Sequence, residues 1–179
     1  MTIGFIGLGK MGGNIALRLI DQGYQLVVSD IAKGAGEPHL AAGATWADSP
    51  AEVAQACDIV LLSLPWPAQV EAVVLGAGGI LGGAAPGMTV ADLSTSSPEL
   101  SQRLAARLSE AGARFVDAPV SGSIDQGRQG LLTVLAGGED SDVENVRPVL
   151  ESFAREVIHL GPVGAGLVGK LANQPEVRR

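Results

Sequence analysis

Cysteine, histidine and aromatic residues are scarce in this sequence, and each scarcity excludes something. A single cysteine, Cys57, rules out a disulfide within the chain and reads as a packing residue. Two histidines, His39 and His159, show no metal-ligand spacing and read as surface or packing residues, so no metal is expected. Basic residues number 12 against 19 acidic ones, a net charge of −7. Without clustered Lys and Arg, neither nucleic acid nor an anionic membrane is an expected partner. The first residues, Met1-Thr2-Ile3-Gly4-Phe5-Ile6, lack the basic start and long apolar run of a secretory signal. No stretch approaches the ~20 apolar residues of a membrane span. A soluble, cytoplasmic protein is expected.

Small aliphatic residues are what the chain does have. Of its 179 residues 46% are hydrophobic although only 3% are aromatic, and the mean hydropathy is +0.29. That mix suits a parallel sheet covered by closely packed helices. Apolar runs at Ile3–Ile6, Gln25–Ser29, Ile59–Leu62, Thr89–Asp92, Phe115–Ala118, Leu132–Ala136 and Val157–Leu160 read as strands. Helical patterns alternate with them, beginning with Met11–Gln22. Ser49-Pro50-Ala51-Glu52, Ser97-Pro98-Glu99 and Ser141-Asp142-Val143-Glu144 read as helix starts, the first and third as capping boxes. The Gly- and Ala-rich run Leu75–Gly87 is too apolar for a solvated linker. The expectation is an α/β fold: a Rossmann-type, doubly wound, mainly parallel sheet with helices on both faces.

Gly7-Leu8-Gly9-Lys10-Met11-Gly12 follows the first strand and opens the first helix, the context a dinucleotide-binding turn requires. Gly7 permits the tight turn, Gly9 leaves room for a pyrophosphate, and Gly12 lets helix and strand pack closely. Asp30 ends the second strand at about the expected 20 residues. Its carboxylate suits the ribose hydroxyls of NAD and repels the 2′-phosphate of NADP. Ile31 follows where an NADP-binding chain more often carries Arg, so NAD is expected over NADP.

Four further segments complete a resemblance. They are Leu62-Ser63-Leu64-Pro65, Asp92-Leu93-Ser94-Thr95, Asp117-Ala118-Pro119-Val120-Ser121-Gly122, and Gly161-Pro162-Val163-Gly164-Ala165-Gly166 with Lys170 beyond. With the glycine turn, these make the chain resemble the β-hydroxyacid dehydrogenases. That family includes 3-hydroxyisobutyrate dehydrogenase, tartronate semialdehyde and glyoxylate reductases, and the cofactor domain of 6-phosphogluconate dehydrogenase. The resemblance implies an NAD(P)-dependent oxidoreductase moving a hydride between nicotinamide and a small hydroxyacid or semialdehyde. It places Leu64 and Pro65 along the cofactor cleft and Thr95 near the nicotinamide ribose. It assigns the substrate carboxylate to Ser121 and Gly122, and general acid/base work to Lys170. Imine reductases share the glycine turn but typically lack that lysine. For Asp117 the residues themselves suggest a strand-end carboxylate bonded to local backbone.

Three departures qualify the resemblance. Ser123 stands where the family usually has a second glycine, adding a side chain to the substrate loop. Gln174, with Asn173 beside it, replaces the asparagine that helps position substrate. The sequence ends at Arg179, just after Pro175, whereas the family continues into an all-helical domain and forms oligomers. Residues 1–162 are therefore expected to form the Rossmann domain, and residues 163–179 the start of an interdomain helix. The alternative function is a truncated, non-catalytic dinucleotide-binding module. On that view the last helical turn is frayed, and Lys170 stands in water with an unperturbed amine.

Overall fold

The computed structural model describes residues 1–173. The chain begins with β1 (Thr2–Ile6), α1 (Lys10–Asp21) and β2 (Gln25–Ser29). A 3-10 turn (Lys33–Gly36), α2 (Glu37–Ala41), β3 (Thr45–Trp46), α3 (Pro50–Ala56) and β4 (Ile59–Leu62) follow. Then come α4 (Pro67–Leu75), α5 (Ile80–Gly83), β5 (Thr89–Asp92), α6 (Pro98–Glu110) and β6 (Arg114–Asp117). The last stretch holds β7 (Val120–Ser121), α7 (Ile124–Gln129), β8 (Leu132–Gly137), α8 (Asp140–Glu151), β9 (Ala154–Gly161) and α9 (Ala165–Ala172).

One sheet runs in the order β3-β2-β1-β4-β5-β6-β8-β7, with β9 also paired to β8. From β3 to β6 every pairing is parallel. β8 turns antiparallel to β6 and β7, and β9 lies parallel to β8. The strand order reverses between β1 and β4, the switch point at which ligands bind in open α/β sheets. The register sets Ser29, Ile6, Leu62, Asp92 and Asp117 in one lateral row. The loops that follow this row all leave from the same edge.

Each face of the sheet has its own core. On one side Phe5, Val28 and Leu61 meet Ile15 and Leu19 of α1 and Val146 and Val149 of α8. On the other, Val60, Leu62, Val90 and Phe115 meet Val53, Val70, Leu104 and Leu108 from α3, α4 and α6. The strands between are buried on both faces, so their sequences run apolar without alternating.

Local chemistry explains several helix starts. Ser49 Oγ accepts the Glu52 N–H, and Ser97 Oγ accepts the Leu100 N–H, as their spacing suggested. The Glu52 carboxylate reaches one residue further back, to the Asp48 N–H. The box expected at Ser141 does not form. α8 starts at Asp140 after Glu139, which puts Ser141 inside the helix, and Glu144 pairs with Arg147 instead. The Gly-rich run Leu75–Gly87 holds α5, anchored by fully buried Ile80. Gly83 lets it lie against the backbone of α3 at Ala51.

Candidate functional site

The three glycines after β1 are glycines for different reasons. Gly7 has φ +97°, and a Cβ there would strike the Ser63 carbonyl. A Cβ on Gly12 would strike the Gly7 carbonyl and lie 2.8 Å from Ser63 Cβ. Both are demanded by the fold. Gly9 has an ordinary φ of −66°, and a Cβ there would meet nothing within 4 Å. The protein itself gives no reason for glycine at that position. Space outside the backbone is what this glycine preserves. Gly9 also stands at the start of α1, which has no side-chain cap and no acidic residue in its first turn. α3, α6 and α7 are each capped by a serine. An uncapped helix start beside vacant space suits a phosphate group.

Asp30 leaves the end of β2 toward this turn. Its carboxylate accepts the Leu8 N–H at 2.7 Å and the Ala32 N–H at 2.8 Å. A carboxylate has about four acceptor sites, so lone pairs remain for a ribose hydroxyl. Leu8 is buried, Met11 is half-buried and Lys10 is exposed. Ile31 is fully exposed, and Lys33 pairs with Asp48 at 3.4 Å rather than turning to Asp30.

Across the switch point, the half-buried Leu64 borders the glycine turn and donates its N–H to Ser94 Oγ at 2.8 Å. Pro65 and Thr95 follow as exposed loop residues. Ser94, to which the sequence gives no role, ties the β4 and β5 loops together through its hydroxyl. Asp92 beneath it is fully buried. One carboxylate oxygen accepts the Ser94 N–H, and the other has no partner among the described residues. Burial above all, with the neighbouring charge of Asp117, pushes its pKa up to about 7 against the pull of the Ser94 hydrogen bonds.

The fourth and fifth segments meet through Lys170. Its ammonium donates to the Val120 carbonyl at 2.9 Å and to Ser121 Oγ at 3.0 Å, joining residues 49 apart in sequence. Burial lowers its pKa. This overturns the expectation of a lysine standing in water. The strand after Asp117 folds over the helix face and shields the amine without help from any further domain. Asp117 also differs from expectation. It is fully buried, and the backbone it bonds is not local: its two oxygens accept N–H groups of Gly164 and Leu167, at 2.7 and 2.9 Å, from α9.

The substrate loop is more constrained than its sequence suggested. Gly122 has φ +137°, and a Cβ there would lie 2.7 Å from both Gln126 Oε1 and Leu132 Cδ2. Ser123 caps α7 in a full capping box with Gln126. Its backbone N–H donates to Gln126 Oε1 at 2.8 Å, so that donor is already taken. Asn173 is the exposed C-cap of α9, and Gln174 lies outside the described residues. His39 is buried under α1, its Nε2 donating to the Gly13 carbonyl at 2.9 Å, a packing role. A hollow of about 300 Å³ lined by Ala54–Asp58 and Ala85–Met88 lies at the opposite edge of the sheet and holds none of the candidate residues. Cys57 lies there with its pKa pushed up to about 12, by burial and then by the charge of Asp58.

The sequence model of the family described as the NAD binding domain of 6-phosphogluconate dehydrogenase matches residues 2–161. The chain belongs to this family. It is 39% identical to the NAD-dependent L-serine dehydrogenase of Pseudomonas aeruginosa, over 96% of this chain and 57% of that protein. The 2-hydroxy-3-oxopropionate reductase of Escherichia coli is 37% identical over 97% of this chain and 59% of its own length. A structure of Mycobacterium tuberculosis 3-hydroxyisobutyrate dehydrogenase, solved with L-serine, superposes with a TM-score of 0.90 at 32% identity. It covers 96% of this chain, which spans 58% of that one. The chain thus spans somewhat under three-fifths of the length of these relatives. Among the described residues no helix is long and apolar enough to cross a membrane, and no group of His, Cys, Asp and Glu could hold a metal.

Proposed function

We propose that this chain forms the cofactor-binding part of an NAD-dependent oxidoreductase acting on a small β-hydroxyacid or its semialdehyde. The contact between Lys170 and Ser121 is the observation that carries the reading. The compounds named for the relatives share a carboxylate and an oxygen on the carbon two bonds away, and this pair of side chains suits both groups.

Gly7, Leu8, Gly9, Lys10, Met11 and Gly12 would cradle the pyrophosphate at the start of α1. Asp30 would accept from the adenosine ribose, and Leu64, Pro65 and Thr95 would border the nicotinamide end. When bound, the nicotinamide supplies the hydride acceptor or donor. Lys170 takes the proton from the substrate hydroxyl or returns it. Burial favours its neutral amine, which an exposed lysine seldom presents near neutral pH. Ser121 Oγ accepts from Lys170 Nζ, leaving its own hydrogen free to donate to a carboxylate. Gly122, Asn173 and Gln174 would complete the substrate side, while Ser123 holds the loop through its cap on α7. Residues 1–162 form the dinucleotide-binding domain on this reading, and the residues from 163 begin the helix that leads out of it.

The test is NADH formation followed spectrophotometrically with L-serine, 3-hydroxyisobutyrate and glycerate, beside calorimetric titration of NAD on the same preparation. Turnover of one of them, lost in Lys170→Ala with NAD affinity unchanged, supports the reading. Binding of NAD with no turnover of any would leave a dinucleotide-binding module instead.

A further inference from the structure

Helix α9 reaches the site with no cap of its own. Its N-cap is Gly164, at φ +100°, and its first turn carries no acidic residue. The missing cap comes from another strand. Asp117, 47 residues back at the end of β6, gives one oxygen to the Gly164 N–H and the other to the Leu167 N–H. Two glycines let the helix come that close. A Cβ on Gly166 would strike the Leu135 carbonyl and lie 2.9 Å from Asp117 Oδ2. A Cβ on Gly137 would strike Asp117 Oδ1 and lie 2.8 Å from the Gly166 nitrogen. The start of α9 is therefore seated on β6 and β8 with the Asp117 carboxylate between.

The segment that follows β6 then grips the helix a second time. Immediately after Asp117 the chain runs through Ala118 and Pro119 to Val120 and Ser121, whose oxygens hold Lys170 Nζ. Lys170 lies one helical turn beyond Gly166, about 6 Å along the axis. A five-residue segment thus fixes both the origin of the helix and the amine it carries.

We propose that Asp117 is a positioning residue for Lys170: by capping α9 from β6 it sets the depth at which the amine meets Val120 and Ser121. The inference takes the acid/base role of Lys170 from the proposed function, but the placement can be measured without turnover. Lys170 enters none of the ion pairs among the described residues, and desolvation alone lowers its pKa, so the titration of its amine reports its depth.

The sequence holds only three lysines, Lys10, Lys33 and Lys170. Reductive methylation with 13C-formaldehyde gives each a separate NMR signal, assigned by loss in the matching Lys→Arg variant. In the unaltered protein the Lys170 signal titrates below the ordinary lysine range. In Asp117→Ala it moves up toward that range, and in Asp117→Asn, which keeps one acceptor, it moves part of the way. NAD affinity stays within about twofold in both, because the glycine turn lies on α1. Gly166→Ala keeps the carboxylate but lifts the helix off the strands, and should move the signal in the same direction. An unmoved Lys170 titration in any of these variants that still binds NAD overturns the proposal. Where a hydroxyacid is turned over, kcat should fall on the order of 100-fold in Asp117→Ala with KM little changed. A titration that responds in a protein that turns over nothing would retain the clamp and remove the proposed activity.

Discussion

Asp92 and Asp117 stand opposite each other in register at the ends of neighbouring strands, and burial pushes the pKa of both up. Asp117 has two helix amides for its two oxygens, whereas Asp92 keeps one oxygen unpaired in the core. Asp92, with its pKa raised to about 7, binds its proton more tightly folded than unfolded. The unfolded chain therefore carries fewer protons between about pH 4 and 7, so stability falls as pH rises through that window. Asp92→Asn should remove this slope. Relative to the unaltered protein, it should gain stability from pH 4 to pH 8 in chemical denaturation, and a constant difference would show that Asp92 is ionised throughout. The role proposed for Asp30 is to choose NAD over NADP, and the residue also holds the Leu8 N–H. Asp30→Asn is thus the cleaner variant than Asp30→Ala. It should narrow the gap between NAD and NADP affinity in calorimetric titration while leaving the fold intact. A preference for NADP in the unaltered protein would contradict the assignment.

Among the helices, α7 has a structural start: the Ser123 hydroxyl accepts the Gln126 N–H and caps it. Ser123→Ala should cost about 1 kcal/mol, lowering Tm by roughly 2–4 °C for a domain of this size, with NAD affinity unchanged. A stable variant with altered affinity would place Ser123 in the cleft instead. The elements were unevenly legible in the sequence. Ser49 and Ser97 caps followed from spacing alone because the interaction is local. Ser123-Ile124-Asp125-Gln126 fits the same pattern, but the resemblance makes this segment a substrate loop and hides α7. Ser141 fits it too and forms no cap, because the helix had already begun at Asp140. β3 and β7 are two residues each, too short for any periodicity to show.

Across the whole molecule, the five parallel strands β2, β1, β4, β5 and β6 and the helices on both faces were legible because burial on both sides leaves a continuous apolar run. The antiparallel turn at β8 was not, since nothing local distinguishes a strand that reverses direction. The glycine turn was legible for the same reason as the caps: strand, turn and helix are contiguous. What joins Asp117 to α9 and Lys170 to Ser121 spans 47 and 49 residues, and only the fold brings those ends together. That is why Lys170, expected in water, is instead half-buried. The site thus rests on a turn whose one unexplained glycine is Gly9. Calorimetric titration of NAD into the unaltered protein and into Gly9→Val tests this most directly. The account predicts binding to the first, none to the second, and a Tm for Gly9→Val only a few degrees lower, since a Cβ there meets nothing within 4 Å. A well-folded Gly9→Val that binds NAD as tightly as the unaltered chain would contradict it.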